Sequence, residues 1–188
     1  MDGIRNKLSI VALTFTAGSM LIVPALAEER VCRGTIGPIT LDNVRVPQDA
    51  RCTLNGTKVK GTITVQRNAV LDANDVLVIG NVQAENARNV IVRNTSTIGG
   101  SVQIKQGGAA TVARSKVNAD IQFESNRAQV RALGNLVGGN IQAFQNRGGV
   151  EIRNNRVDGN LQCKENVPRP IGGGNIVQGN KEDQCRGL

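Results

Sequence analysis

Cys32, Cys52, Cys163 and Cys185 carry the most reactive groups in this sequence. They fall in two pairs near its ends, 20 and 22 residues apart. Thiols so placed either cross-link or hold a metal. Zinc is disfavoured, because the sequence has no histidine and no Cys-x-x-Cys pair. An even cysteine count in an exported chain reads as disulfides, so the pairs Cys32–Cys52 and Cys163–Cys185 are expected to be cross-linked. No nucleophile-elbow sequence is present, and a histidine general acid or base is impossible.

Carboxylates are the remaining candidates for bond cleavage. A glycosidase needs two of them held at a set separation across the scissile bond. Asp72, Asp75, Glu85, Asp120, Glu124, Glu151 and Asp158 are instead scattered along the chain. Glu85 and Glu124 share a position in the repeat described below, but Lys105 stands between them, which reads as a surface ladder of alternating charge. The "DAND" cluster at 72–75 lacks the further ligands and the glycine of a calcium loop, and a solvated turn is expected there. "GNIVQGNK" at 174–181 has the outline of a phosphate loop. However, it puts Asn180 at the lysine position and no Ser or Thr after Lys181. The expectation is a non-enzymatic chain with no catalytic residue, metal or cofactor. A glycan-cleaving enzyme is the alternative, since such enzymes do occur on β-helices.

The elements that would position these groups begin after a separate N-terminal segment. "MDGIRNK" is basic, "LSIVALTFTAGSMLIV" is apolar, and "PALA" ends in the Ala-x-Ala form of a signal-peptidase site. This predicts a secretory signal at 1–27 cut after Ala27, and a secreted or periplasmic chain with no membrane span once it is removed. The cut removes one acid, Asp2, and two bases, Arg5 and Lys7, so the formal charge of +8 becomes +7. Such a balance favours anionic partners. Nucleic acid is excluded by export and by the scarcity of aromatics: only Phe123 and Phe144 remain on which bases could stack.

The rest of the chain repeats itself. "DNVRVPQD" at Asp42 is followed by "GTITVQRN" at Gly61, "GNVQAEN" at Gly80 and "GSVQIKQG" at Gly100. "ADIQFESN" at Ala119, "GNIQAFQN" at Gly139, "GNLQCKEN" at Gly159 and a truncated "GNKEDQC" at Gly179 complete the series, in steps of 19 or 20 residues. Each phrase alternates apolar, polar, apolar, as in Ile141-Gln142-Ala143, which is the signature of a strand with one buried face. A second alternation follows, as in Val150 and Ile152. After it come a small polar residue and another aliphatic, as in Asn155 and Val157. Gly and Asn at the junctions suit corners, because both tolerate left-handed backbone. β-Branched residues and 22 glycines oppose helix. A fixed period near twenty marks a solenoid. The predicted fold is all-β, a single-stranded parallel β-helix (β-solenoid) of about seven coils. It comprises an N-terminal cap at 28–41, repeats at 42–178 and a C-terminal cap at 179–188, with the disulfides clamping its end coils. "VPRPIGGG" at 167–174 is its one clearly irregular loop.

Over Asp42 to Cys185, the reiterated "G-[NS]-[VIL]-Q" phrase and the closing "GNLQCKEN" resemble exported bacterial parallel β-helix repeat proteins, which are functionally uncharacterised. The resemblance implies a right-handed coil and an envelope or extracellular location. A looser similarity to bactofilin-type solenoids suggests a self-assembling scaffold, against which the signal segment and the disulfides weigh.

Two surface features are candidates for binding. Gln83, Gln103, Gln122, Gln142 and Gln162 should form one outward row, either stacking on each other or offering amides to an extended ligand. Arg93, Arg114, Arg131 and Arg153 fall near the second strand at different offsets and suggest a diffuse basic side. Together these predict an interaction or structural module of the envelope or cell exterior that contacts anionic polysaccharide, lipopolysaccharide or an envelope surface. Its oligomeric state is left open.

Overall fold

The computed structural model describes residues 28–188. The predicted signal segment, 1–27, lies outside them. The chain winds into a parallel β-solenoid of about eight turns, with no helix among the described residues. Each turn contributes one strand to each of three parallel sheets. Sheet A has nine strands, from Glu29–Val31 to Lys181–Asp183. Sheet B has eight, from Gly34–Ile36 to Ile171–Gly173, and sheet C has eight two-residue strands, from Thr40–Leu41 to Ile176–Val177. The residues expected to cap the N-terminus thus form a turn of their own. At strand spacing, eight turns make a rod roughly 38 Å long.

Alternation decides what faces inward. In the turn starting at Ile141, Ile141, Ala143, Val150, Ile152 and Val157 are buried, while Gln142, Glu151 and Arg156 point outward. The pairing is in register from turn to turn: Ile121 meets Ile141, which meets Leu161. Like therefore stacks on like, and a single turn would leave both its edges and its core half-made. Stability resides in the interfaces between turns.

The three corners are built differently. After sheet A and after sheet B most turns pass through one residue with positive φ, such as Gln145 (φ 57) and Asn154 (φ 56), and the corner at Asn94 and Thr95 has two. The corner from C to A carries the "G-N" of the repeat, and its geometry explains that dipeptide. The Asn140 side-chain Oδ1 accepts the backbone N–H of Asn160 at 2.8 Å, and Asn160 does the same for Asn180. A Cβ on Gly159 would lie 2.6 Å from that same Asn140 Oδ1, so the anchor must be glycine. After Asp42, which opens the series, Ala119 is the one anchor that carries a Cβ, and it sits over Ser101, whose short side chain gives the room.

Asn68, Asn86, Asn94 and Asn154 are left-handed corner residues, as the sequence suggested, but six other corner asparagines point inward instead. Asn126, Asn146 and Asn166 form one buried column, and Asn135, Asn155 and Asn175 another. Asn146 uses its full hydrogen-bonding capacity: Oδ1 accepts from the Asn126 N–H (3.0 Å) and Nδ2 (2.9 Å), and Nδ2 donates to Phe123 O and Asn166 Oδ1, both at 2.9 Å. Asn155 makes the equivalent four bonds in its column. Gln184 closes the first column by accepting from Asn166 N–H and Nδ2. Turns that carry the first column have one residue more in the A-to-B corner than the turn starting at Val102, so the step of 20 there reflects room made for an inward amide.

Both predicted disulfides are present, Cys32–Cys52 and Cys163–Cys185, with Cα–Cα distances of 5.5 and 5.1 Å. No described cysteine is free, which disposes of the zinc alternative. In the "VPRPIGGG" segment the Val167–Pro168 peptide is cis, Pro170 is buried, and Ile171–Gly173 rejoins sheet B.

Candidate functional site

Sheet A places the predicted glutamine row on its outer face, in register. Gln83 Nε2 donates to Gln103 Oε1 at 3.2 Å, and Gln103 Nε2 to Gln122 at 3.0 Å. Gln142 donates to Gln162 at 2.8 Å, and Gln162 to Glu182 at 2.8 Å. The amides thus stack on one another as strand-spaced ladders do, and the ladder breaks between Gln122 and Gln142, where no side-chain hydrogen bond joins the paired residues. The break leaves the Gln122 amide N–H₂ and the Gln142 amide oxygen without a ladder partner.

The second outward row of sheet A runs Glu85, Lys105, Glu124, Phe144 and Lys164. Lys105 Nζ pairs with Glu124 Oε2 at 2.9 Å, as the alternating charge ladder requires. Phe144 is the feature that sequence reading missed. It is one residue past the inward position, so it points out and is half-buried between Glu124 and Lys164. The strand phase marked it, since inward Ala143 fixes the orientation of its neighbour.

The four predicted arginines lie on the outer face of sheet B or at its edge, and three of them are tied to carboxylates. Arg93 grips Asp72 through two bonds, Nε to Oδ1 at 3.0 Å and Nη2 to Oδ2 at 2.8 Å, and the carboxylate raises the guanidinium's pKa further. Arg153 pairs with Glu151 at 2.8 Å, and Arg131 lies 3.4 Å from the same carboxylate. Arg114 sits at the B-to-C corner with φ 48 and donates to Asn94 Oδ1. Asp72 of the "DAND" cluster is thereby committed to an ion pair on a strand, and only Asp75 lies at a corner. Among the described residues no group of three or more His, Cys, Asp or Glu side chains could hold a metal ion.

Besides Arg114, further arginines without acidic partners line the A-to-B corner. Arg88, Arg127 and Arg147 are exposed at the A-to-B corner, in one column with Gly108, and none stands within ion-pair distance of a carboxylate among the described residues. They form a basic ridge along the edge of the glutamine face. Toward the N-terminal end the same corner swells into β-turns closed by Ala50 N–H to Pro47 O and Ala69 N–H to Gln66 O. These overhang sheet A and wall a shallow concavity of about 730 Å³, floored by Thr64, Gln83 and Gln103 and rimmed by Gln48, Arg67 and Lys105. Asp49, in the first of these turns, is held below the ordinary carboxylate range by hydrogen bonds from Asn68 and Gln48.

Compared with family models, with curated proteins and with solved structures, the chain matches none. The solenoid and its surface chemistry must therefore carry the functional reading. The two disulfides fit a compartment outside the reducing cytoplasm. No helix among the described residues is long and apolar enough to cross a membrane.

Proposed function

We propose that this protein is an exported, non-enzymatic interaction module of the cell envelope or cell exterior that binds an extended acidic polysaccharide along sheet A. The observation that carries the reading is the ridge of Arg88, Arg127 and Arg147, a column of cations without acidic partners beside a flat amide strip. Guanidinium groups bind carboxylates and sulfates through paired N–H donors, and amides suit hydroxyls. Phe144 adds an apolar ring against which a sugar face can pack. The signal segment and the two disulfides support export. Asp72, Glu124 and Glu151 are each held by a cation on the sheet surface rather than facing another acid across a cleft, which favours binding over hydrolysis.

Titration with polygalacturonate, dextran sulfate and neutral dextran tests this. Binding to the two charged polymers should weaken with added salt and fall sharply in the triple variant Arg88→Gln, Arg127→Gln, Arg147→Gln. Equal affinity for neutral dextran sinks the reading, as does release of shortened or unsaturated product over time.

A further inference from the structure

Sheet C presents a different chemistry. Its outward row mixes cations and aliphatics, with Thr97 between Leu77 and Lys116: Lys58 pairs in register with Leu77, Lys116 with Leu136, and Arg156 with both Leu136 and Ile176. Leu77, Leu136 and Ile176 are 39%, 54% and 62% exposed, and Ile79 beside them is 54% exposed. Lys58, Lys116 and Arg156 are also exposed, with no acid within ion-pair distance among the described residues. The two acids at the edge of this face each have a partner, a cation for Asp42 and a neutral amide for Asp158. Asp42 pairs with Lys60 at 2.9 Å, and Asp158 accepts from Gln178 Nε2 at 2.9 Å. Half of the eight large hydrophobics exposed among the described residues therefore lie on the molecule's narrowest wall, among unpaired cations.

We propose that sheet C is a docking face for an anionic lipid bilayer, with Leu77, Ile79, Leu136 and Ile176 entering the headgroup layer and Lys58, Lys116 and Arg156 meeting lipid phosphates. Interfacial binding requires this combination, since apolar insertion and attraction to anionic headgroups add. The long stems of lysine and arginine let the charge rise to the phosphates while the aliphatics go deeper. A second copy of this chain fits poorly. The face is about 10 Å by 35 Å, roughly 350 Å², against about 800 Å² per partner in a stable interface. Two such faces would also bring like charges together. A bilayer needs no matching shape and supplies the opposite charge.

The proposal stands apart from the glycan reading, because the ridge and sheet C are different surfaces. Co-sedimentation with vesicles of phosphatidylcholine alone, and of an equal mixture of phosphatidylcholine and phosphatidylglycerol, separates them. Every variant is compared with a parent carrying the same N-terminal residues. The parent should bind the mixed vesicles more tightly. Lys58→Gln, Lys116→Gln, Arg156→Gln together should weaken that binding about a hundred-fold. Leu77→Ser, Leu136→Ser, Ile176→Ser should also release the protein, and the variant of Arg88, Arg127 and Arg147 should still bind. All these residues are exposed, and an unchanged thermal transition confirms that the variants fold. Equal binding to both vesicle types overturns the proposal, as does loss of binding in the ridge variant alone. Self-association that the sheet C changes abolish would assign the face to a second copy, and overturns it too.

Discussion

Asn146 Nδ2 donates to Asn166 Oδ1 at 2.9 Å in a place where neither side chain is reached by bulk solvent. The bond is one rung of a column that begins at Asn126 and ends on Gln184. Replacing Asn146 by alanine strips partners from Asn126 N–H and Nδ2, from Phe123 O and from Asn166. The expected loss is about 3 kcal/mol, the scale for leaving buried polar groups unpaired. Gln142→Ala, in the solvated ladder on the strand just before Asn146, should cost about 0.5 kcal/mol or less. Urea midpoints of the two variants make the comparison, and equal effects would show that the inner column is not the stronger one.

The C-to-A corner predicts a rescue. Gly139→Ala would set its Cβ 2.3 Å from Asp120 Oδ1 and should destabilise by about 1–3 kcal/mol. Shortening the residue beneath, Asp120→Ser, should restore much of the loss, because Ala119 already sits over Ser101. Gly99→Ala has no such remedy, since the obstacle at 2.2 Å is the Ile79 carbonyl oxygen. Melting temperatures of the single and paired variants test both statements.

Cys32–Cys52 and Cys163–Cys185 each tie a terminal turn to its neighbour. Breaking either by Cys→Ser should cost about 3 kcal/mol in the chain-entropy view. Because each turn is held mainly by its neighbours, the damage should stay local. Hydrogen exchange should speed up first in the end strands, with Ile104, Phe123 and their neighbours still protected.

Acid should loosen the N-terminal turns first. The hydrogen bond and charge of Lys60 hold Asp42 below the ordinary carboxylate range, and Asn68 and Gln48 do the same for Asp49. A lowered folded-state pKa means that the contribution is complete above the unfolded value of about 3.9 and is lost as pH falls through the folded one. Melting temperature should therefore be flat near neutrality and drop at the acid end. Asp42→Asn should reduce that drop, and an undiminished acid dependence in the variant would count against the pair.

Phe144→Ala should weaken polysaccharide binding several-fold and leave stability nearly unchanged, because the ring is only half-buried on an outer face. Phe123→Ala, by contrast, removes the largest fully buried side chain and should cost about 3–5 kcal/mol. Paired binding and denaturation curves separate the two phenylalanines.

The strands and the disulfides were legible because period-two alternation and a fixed step constrain register strongly. Val82, Val102 and Ile121 could only stack in a column if each winding began at the same phase. The corners were less legible. An asparagine can turn the backbone, as Asn154 does, or fill the interior, as Asn155 does one residue later, and composition does not separate the two. Cross-turn partners decide it, and they become visible only once the register is known. The arginines misled for a similar reason. Arg93 looks free in sequence because Asp72 is 21 residues away, yet one turn of the wall brings them together.

The Gly-Asn junction meets whatever lies above and below it through the same two contacts, an oxygen taking an N–H and a missing Cβ making space for it. Nothing in that handshake depends on how far along the rod it occurs. A copied twenty-residue passage, spliced between Asn140 and Asn160, would find compatible partners on both sides and extend the shaft by one strand spacing. Its girth and its three walls would stay as they are, so the reach of the molecule can be set in whole steps.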